Sequence, residues 1–237
     1  MSELLGTVMA GARQVMKAQA INANNLANAS TDGFRAELVH ISSLEDINGL
    51  SSTPDLAEGM VRTTGNPLDI SINGEGWIAV QAPDGSEGYT RRGDLRVDAF
   101  GQITNGAGQI VLGEGGPIAL PPFQNIEIGT DGTVSIQPQG QDITTRVVID
   151  RIKLALPDER LMGRGNDGIL RLARGAIADP DATVKLQTGT LEGSNVNAVG
   201  EMLKMMDLAR QFEAQVQLMN SAEENSSSLA SVLRMNG

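Results

Sequence analysis

Apolar residues return at three- and four-residue intervals over residues 2–28, at Leu5, Val8, Met9, Ala12, Val15, Met16, Ala23 and Leu26. That period predicts an amphipathic helix about 37 Å long. Ser30-Thr31-Asp32-Gly33 then ends it, with turn-forming residues and a glycine able to take positive φ. Near the other end, Met205, Leu208, Phe212, Gln215, Met219, Ala222, Ser226, Leu229 and Leu233 alternate steps of three and four. This is a heptad seam of the kind carried by helices that wind around partner helices. Asn195 or Asn197 is placed to cap its N-terminus.

Between the two helices the period changes. LDISI (68–72), WIAVQ (77–81), VSI (134–136), RVVIDRIKLAL (146–156) and VKLQT (184–188) read as short strands, several alternating apolar with polar residues. Pro83-Asp84-Gly85, Asn105-Gly106, Asp131-Gly132 and Asp167-Gly168 punctuate them as turns, which favours antiparallel pairing over βαβ units. Residues 48–66 read as a polar connector. The fold class expected is therefore mixed α and β. N- and C-terminal helices form a coiled-coil-like core module, and a mainly antiparallel β domain is inserted between them. The boundaries are 1–29 for the N-terminal core helix, 30–66 for an extended segment and connector, 67–192 for the β domain, and 193–237 for the C-terminal core helix. The terminal stripes can pair with each other, with copies of themselves or with other chains, since left bare they would be exposed apolar surface.

Asn22, Asn24, Asn25 and Asn28 crowd the end of the first helix, although an amide lowers helix propensity by bonding nearby backbone. Buried amides satisfied only in one register would specify that register, whereas fraying of the helix end would leave them solvated.

Charge sharpens the division. The chain carries −11, made of +1 over residues 1–28, −2 over residues 195–237 and −10 between them, so the middle suits solvent and the near-neutral ends suit protein contact. An acidic chain without clustered Lys and Arg is not a nucleic-acid binder. No apolar run reaches the ~18 residues of a membrane span, and the N-terminus lacks the pattern of a cleavable secretory signal. With no cysteine, thiolate chemistry is excluded. The single histidine, His40, has no companion ligand and reads as structural. Asp84, Asp131 and Asp167 each precede glycine and serve as turn caps, and Asp179-Pro180-Asp181 lacks calcium-loop spacing. Gly113-Glu114-Gly115-Gly116-Pro117 matches neither phosphate-binding glycine pattern. No catalytic, cofactor-binding or metal residues are therefore assigned.

Asn24-Asn25-Leu26-Ala27-Asn28-Ala29-Ser30-Thr31-Asp32-Gly33-Phe34 resembles the signature of the bacterial flagellar axial proteins, the rod and hook family. Further resemblances follow in the family's order: Asn66-Pro67-Leu68-Asp69, Gly74-Glu75-Gly76-Trp77, Tyr89-Thr90-Arg91-Arg92-Gly93, Asp98 to Gly101, and Leu191-Glu192-Gly193-Ser194-Asn195-Val196. The short length, the GEGGPI segment and Glu223-Glu224-Asn225 resemble proximal-rod members more than distal-rod members. The resemblance implies a structural, non-enzymatic subunit of the flagellar basal body. It would be exported by the flagellum's own type III apparatus without a cleaved signal and assembled in the periplasm into a helical rod. Its partners would be copies of itself, other rod proteins and, during secretion, the export apparatus. The assembly interface it implies comprises Leu5, Val8, Ala12, Val15, Asn24, Asn25, Leu26, Asn28, Gly33 and Phe34 at the front. At the back it comprises Asn195, Val196, Met205, Leu208, Phe212, Met219, Leu229 and Leu233. The residues leave two alternatives open, a distal-rod protein and a secreted β-domain binding module whose groove would lie on residues 68–191.

Overall fold

The computed structural model describes residues 2–41, 50–140, 145–165 and 167–235, with side chains described over 6–40, 52–140, 145–165 and 167–222. The chain divides into a helical unit, Met1–Ala29, Glu37–Thr53 and Val196–Gly237, and a β unit, Ser30–Ala36 and Pro54–Asn195. Residues 37–53, read from sequence as extended segment and connector, thus belong with the helices.

In the helical unit, α1 (Ser2–Ala27) packs on α2 (Ala198–Met235), and β1 (Glu37–Ile41), paired with β2 (Leu50–Pro54), lies against α1. The helices run antiparallel. Asn22 meets Glu201, and a Cβ on Gly11 would stand 2.9 Å from the Gln215 amide nitrogen. Asn197 caps α2, its side-chain oxygen accepting from the Gly200 N–H at 3.1 Å.

The coiled-coil-like core module expected of the terminal helices is not what forms. Only two helices of more than one turn are present among the described residues, and α1 offers Ala12, Val15, Asn22 and Asn25 as its buried positions. Met205, Leu208, Phe212, Gln215, Met219 and Ala222 stay half-buried, and Glu201 is the one buried side chain described on α2. Knobs-into-holes packing needs bulky apolar residues enclosed on both sides of the seam. Here small and amide residues face a single partner helix, so the seam remains half open. Mixed α and β with an inserted β domain does describe the chain.

The β unit is built from antiparallel strands. Its largest sheet has nine, seven of them in the order Met162–Arg164, Leu170–Leu172, Glu87–Thr90, Trp77–Gln81, Ile110–Gly113, Ile103–Asn105 and Leu95–Val97. Gly116–Pro117 and Leu154–Ala155 add to Ile110–Gly113 and Trp77–Gln81. A three-stranded sheet joins Phe123–Ile128, Thr133–Pro138 and Val147–Arg151, and two further pairs set Lys185–Thr188 beside Ile70–Asn73 and Thr190–Glu192 beside Val61–Thr63. The run read as one strand over 146–156 is broken at Ile152-Lys153, where it passes from one sheet to the other. The predicted turns form with their aspartates as caps: Asp84 accepts from Ser86 N–H, Asp131 from Thr133 and Asp167 from Ile169.

Ile70, Ile78, Val80, Leu95, Ile103, Val111, Val134, Ile136 and Ile152 make the main core, each buried side chain contributing about 1.5–3 kcal/mol. A second cluster gathers Trp77, Ala79, Tyr89, Leu112, Ala155, Met162 and Leu170.

Candidate functional site

The signature asparagines divide by helix face. Asn22 and Asn25, three residues apart, are buried; Asn24 is exposed and Asn28 half-buried. Asn22 donates its amide to the Glu201 carboxylate. Asn25 grips the backbone of β1 twice: its amide nitrogen donates to the Glu37 carbonyl at 2.9 Å and its oxygen accepts the Glu37 N–H at 2.8 Å. One side chain thereby supplies the pairing a neighbouring strand would give. Asn28 closes the helix end, its amide and backbone N–H both donating to the Asn24 carbonyl.

In the β unit, three segments are tied where the chain enters and leaves. Gly33 takes φ 68° and its N–H donates to the Glu192 carbonyl at 2.7 Å. A Cβ there would stand 2.3 Å from Arg92 N and 2.4 Å from Arg91 C, so both backbone conformation and close approach require glycine. Phe34 stacks under the Arg164 guanidinium, 4.7 Å from the ring centroid. Asn195 accepts from Ala36 N–H at 2.7 Å and donates to the Asp55 and Ala57 carbonyls, both at 3.0 Å.

Behind this junction lies a buried charge cluster. Glu192 binds Arg35 at 2.6 Å and Arg91 at 3.1 Å, and all three side chains are at most 3% exposed. Both guanidinium groups face the Trp77 ring, at 5.6 and 5.2 Å. The Glu192 carboxylate also accepts from Gly59 N–H at 2.8 Å, and Arg91 donates to the Gly74 carbonyl. Burial lowers the Arg91 pKa from its usual value, with Glu192 opposing and Arg35 adding to the shift.

The structure therefore places the predicted interface residues in two separate sets. In the helical unit, Ala12 and Val15 are buried, while Val8, Leu26, Val196, Met205, Leu208, Phe212 and Met219 are half-buried. In the β unit, Gly33, Phe34 and Asn195 belong to the junction. The side chains of Leu5, Leu229 and Leu233 lie outside the described residues, as does the Glu223-Glu224-Asn225 cluster. Sequence reasoning missed Arg35 and Glu201 altogether and gave Trp77, Arg91 and Glu192 no role; the available signal was that the last three sit inside motif stretches.

Chemistry is otherwise sparse. His40 is exposed on β1 and bonds Thr53 at 2.8 Å, and no cluster of three metal-ligating side chains occurs among the described residues. No described helix is long and apolar enough to cross a membrane. On the β unit, a shallow cavity of about 420 Å³ lies over Arg160 to Arg164 and Arg171 to Ala173.

Two family models match: "Flagellar basal body rod FlgEFG protein C-terminal" over residues 187–232 and "Flagellar hook protein FlgE/F/G D1 domain" over residues 71–136. Flagellar basal-body rod protein FlgF of Escherichia coli (strain K12) is 41% identical, across 99% of this chain and 100% of that protein. The chain belongs to the FlgEFG family of flagellar rod proteins and is FlgF-like. The FlgF of Salmonella typhimurium is 39% identical with the same coverage. A FlgG from Buchnera aphidicola subsp. Schizaphis graminum is 28% identical across 88% of this chain. For this FlgF-like chain, the C-terminal match begins just before α2 and includes Glu192 and Asn195, while the D1 match includes Trp77 and Arg91.

Proposed function

We propose that the chain is a structural subunit of the bacterial flagellar basal-body rod, of the proximal FlgF type. It polymerises through its terminal helices into the tube that links the motor to the distal rod and hook and carries torque. The end-to-end identity with named rod proteins carries this reading. Support comes from α2, where Val199, Met202, Leu203, Met206, Val216 and Leu218 are exposed beside the half-open seam of Met205, Leu208, Phe212 and Met219. Apolar surface of this kind on a helix seeks protein partners. The subunit catalyses no reaction, binds no cofactor or nucleic acid, and works in the periplasm after export by the flagellar type III apparatus without a cleaved signal. Its partners are its own copies and other rod proteins.

Leu208 and Phe212 are half-buried in the helical unit, so changing them would disturb the fold as well as any assembly. Leu203→Asp and Leu218→Asp test the outer surface, because both side chains are exposed, at 60% and 58%. Expressed in a flagellated strain lacking the native gene, both variants should be exported yet absent from purified basal bodies, since a partner would bury an unpaired charge. Normal incorporation of both would overturn assembly through the helices. A secreted β-domain binding module would instead leave basal bodies free of the unmodified chain.

A further inference from the structure

In the helical unit, α1, β1 and α2 enclose a groove of about 670 Å³. Its floor is apolar, with Val15, Ala18, Ile21 and Leu208. Its walls carry three carboxylates, Glu37, Glu201 and Asp207, against one lysine, Lys204, which is bonded to Glu201 at 2.7 Å. Two amide oxygens of groove-lining residues, Asn22 Oδ1 and Gln215 Oε1, are buried with no hydrogen-bond partner. With an apolar floor and walls richer in carboxylate than in lysine, the groove favours an occupant bearing positive charge, N–H donors and apolar side chains.

The opposite face of α1 has that chemistry. Met9, Arg13 and Met16 lie on one helical stripe and are all exposed. Residues 6–27 contain Arg13 and Lys17 and no acidic residue. Methionine side chains adapt to an irregular apolar floor, and a guanidinium offers five N–H donors to carboxylates.

We propose that the groove receives the Met9-Arg13-Met16 face of α1 from a second copy of this chain. The donating face and the receiving groove are different surfaces of the same unit, so each copy gives one contact and takes another. A head-to-tail contact of this kind propagates and does not close in a pair. This inference rests on the rod reading and specifies which surfaces meet within it.

The absence of cysteine makes paired cysteines a clean probe. Two differently tagged copies, one with Met16→Cys and one with Gln211→Cys on the groove wall, are expressed together, oxidised, and recovered with basal bodies. Both positions are exposed, so folding is retained. The expected result is a mixed-tag dimer at twice the 24.9 kDa chain mass, formed only when both cysteines are present. Arg13→Glu in the donating copy should cut its yield roughly tenfold, the effect of losing about 1.4 kcal/mol, and Asp207→Arg in the receiving copy should restore it. A second pair, Met9→Cys with Gln211→Cys, guards against one badly placed sulfur. Absence of the mixed dimer from basal bodies that contain both copies would overturn the groove contact and leave the rod reading standing. Cross-linking of Met16→Cys to a different rod protein would likewise overturn it. Absence of both copies from basal bodies would defeat the rod reading itself.

Discussion

Replacing Gly33 by alanine separates two costs that usually occur together. The residue sits at φ 68°, where an L side chain loses roughly 1–2 kcal/mol. Its new methyl would also stand 2.3–2.6 Å from three backbone atoms of Arg91 and Arg92, which have no flexible end to swing away. Forcing an extra carbon into such a site costs a further 1–3 kcal/mol or so. Gly65 is the control, with φ 76° but nothing within 4 Å of a Cβ, so Gly65→Ala should show the conformational cost alone. The expected losses are about 2–5 kcal/mol for Gly33→Ala and about 1–2 for Gly65→Ala. The single tryptophan, Trp77, is 1% exposed in the same β unit and reports its unfolding in urea by fluorescence. With a slope of roughly 1–3 kcal/mol per molar, the two midpoints should differ by on the order of 1 M at unchanged slope. Midpoints within about 0.2 M of each other, less than the smallest clash cost at that slope, would refute the close approach at Gly33.

Glu192→Gln should cost the β unit about 3–5 kcal/mol in the same urea assay, because it leaves Arg35 and Arg91 buried without a counter-charge. A loss under about 1 kcal/mol would mean that water reaches the cluster. Asn25→Ala should strip the Glu37 N–H of its partner and speed its amide hydrogen exchange, whereas unchanged protection would show that β1 is held some other way. Burial pushes the phenol of Tyr89 up to about 12, the Glu87 carboxylate reinforcing the shift and the Ala178 N–H opposing it. A folded pKa raised above the ordinary value near 10 gives stability that is whole below pH 10 and falls as pH rises from about 10 to 12. Tyr89 is the only tyrosine, so an alkaline absorbance titration in which the native phenol ionised near 10 would sink that assignment.

The two helices and strands such as Trp77–Gln81 and Lys185–Thr188 were legible because their periods, 3.6 and 2, are set by backbone geometry, whereas short strands such as Glu87–Thr90, Ile103–Asn105 and Ile110–Gly113 carry too few residues to show a period. The coiled-coil-like core was misread for a related reason. A heptad seam states which residues share a face of α2, but not how large the facing residues are, and α1 presents Ala12, Asn22 and Asn25. Residues 48–66 read as connector because their polarity is high, and the stretch around His40 only as extended; what ties β1 to the helical unit is the pair of backbone bonds from Asn25, which no pattern within β1 announces. The four asparagines were grouped as a single device, although the spacing of Asn22 and Asn25 against Asn24 and Asn28 already separates two faces of a helix. Arg35 and Arg91 were invisible for a stronger reason. Arginine is almost never fully buried unless paired, and its partner Glu192 lies over a hundred residues from either along most of the chain, at separations of 157 and 101.

Those separations point to what the junction does. Residues 30–36 lead into the β unit and residues 190–195 lead out of it, and joining the ends of so long a segment costs chain entropy that grows with the logarithm of its length. The opposing contacts are concentrated there: Gly33 N–H on the Glu192 carbonyl, Arg35 on the Glu192 carboxylate, Asn195 on Ala36, Asp55 and Ala57. Every one of these bonds joins residues distant in sequence and lies inside the β unit, so the entry and exit segments are fixed to each other rather than hanging as two loose linkers. The motif residues Gly33, Glu192 and Asn195 thus have a structural reason in the long separation they bridge. Glycine permits the crossing, asparagine replaces missing strand partners, and one glutamate near the exit holds Arg35 from the entry and Arg91 from within the insertion.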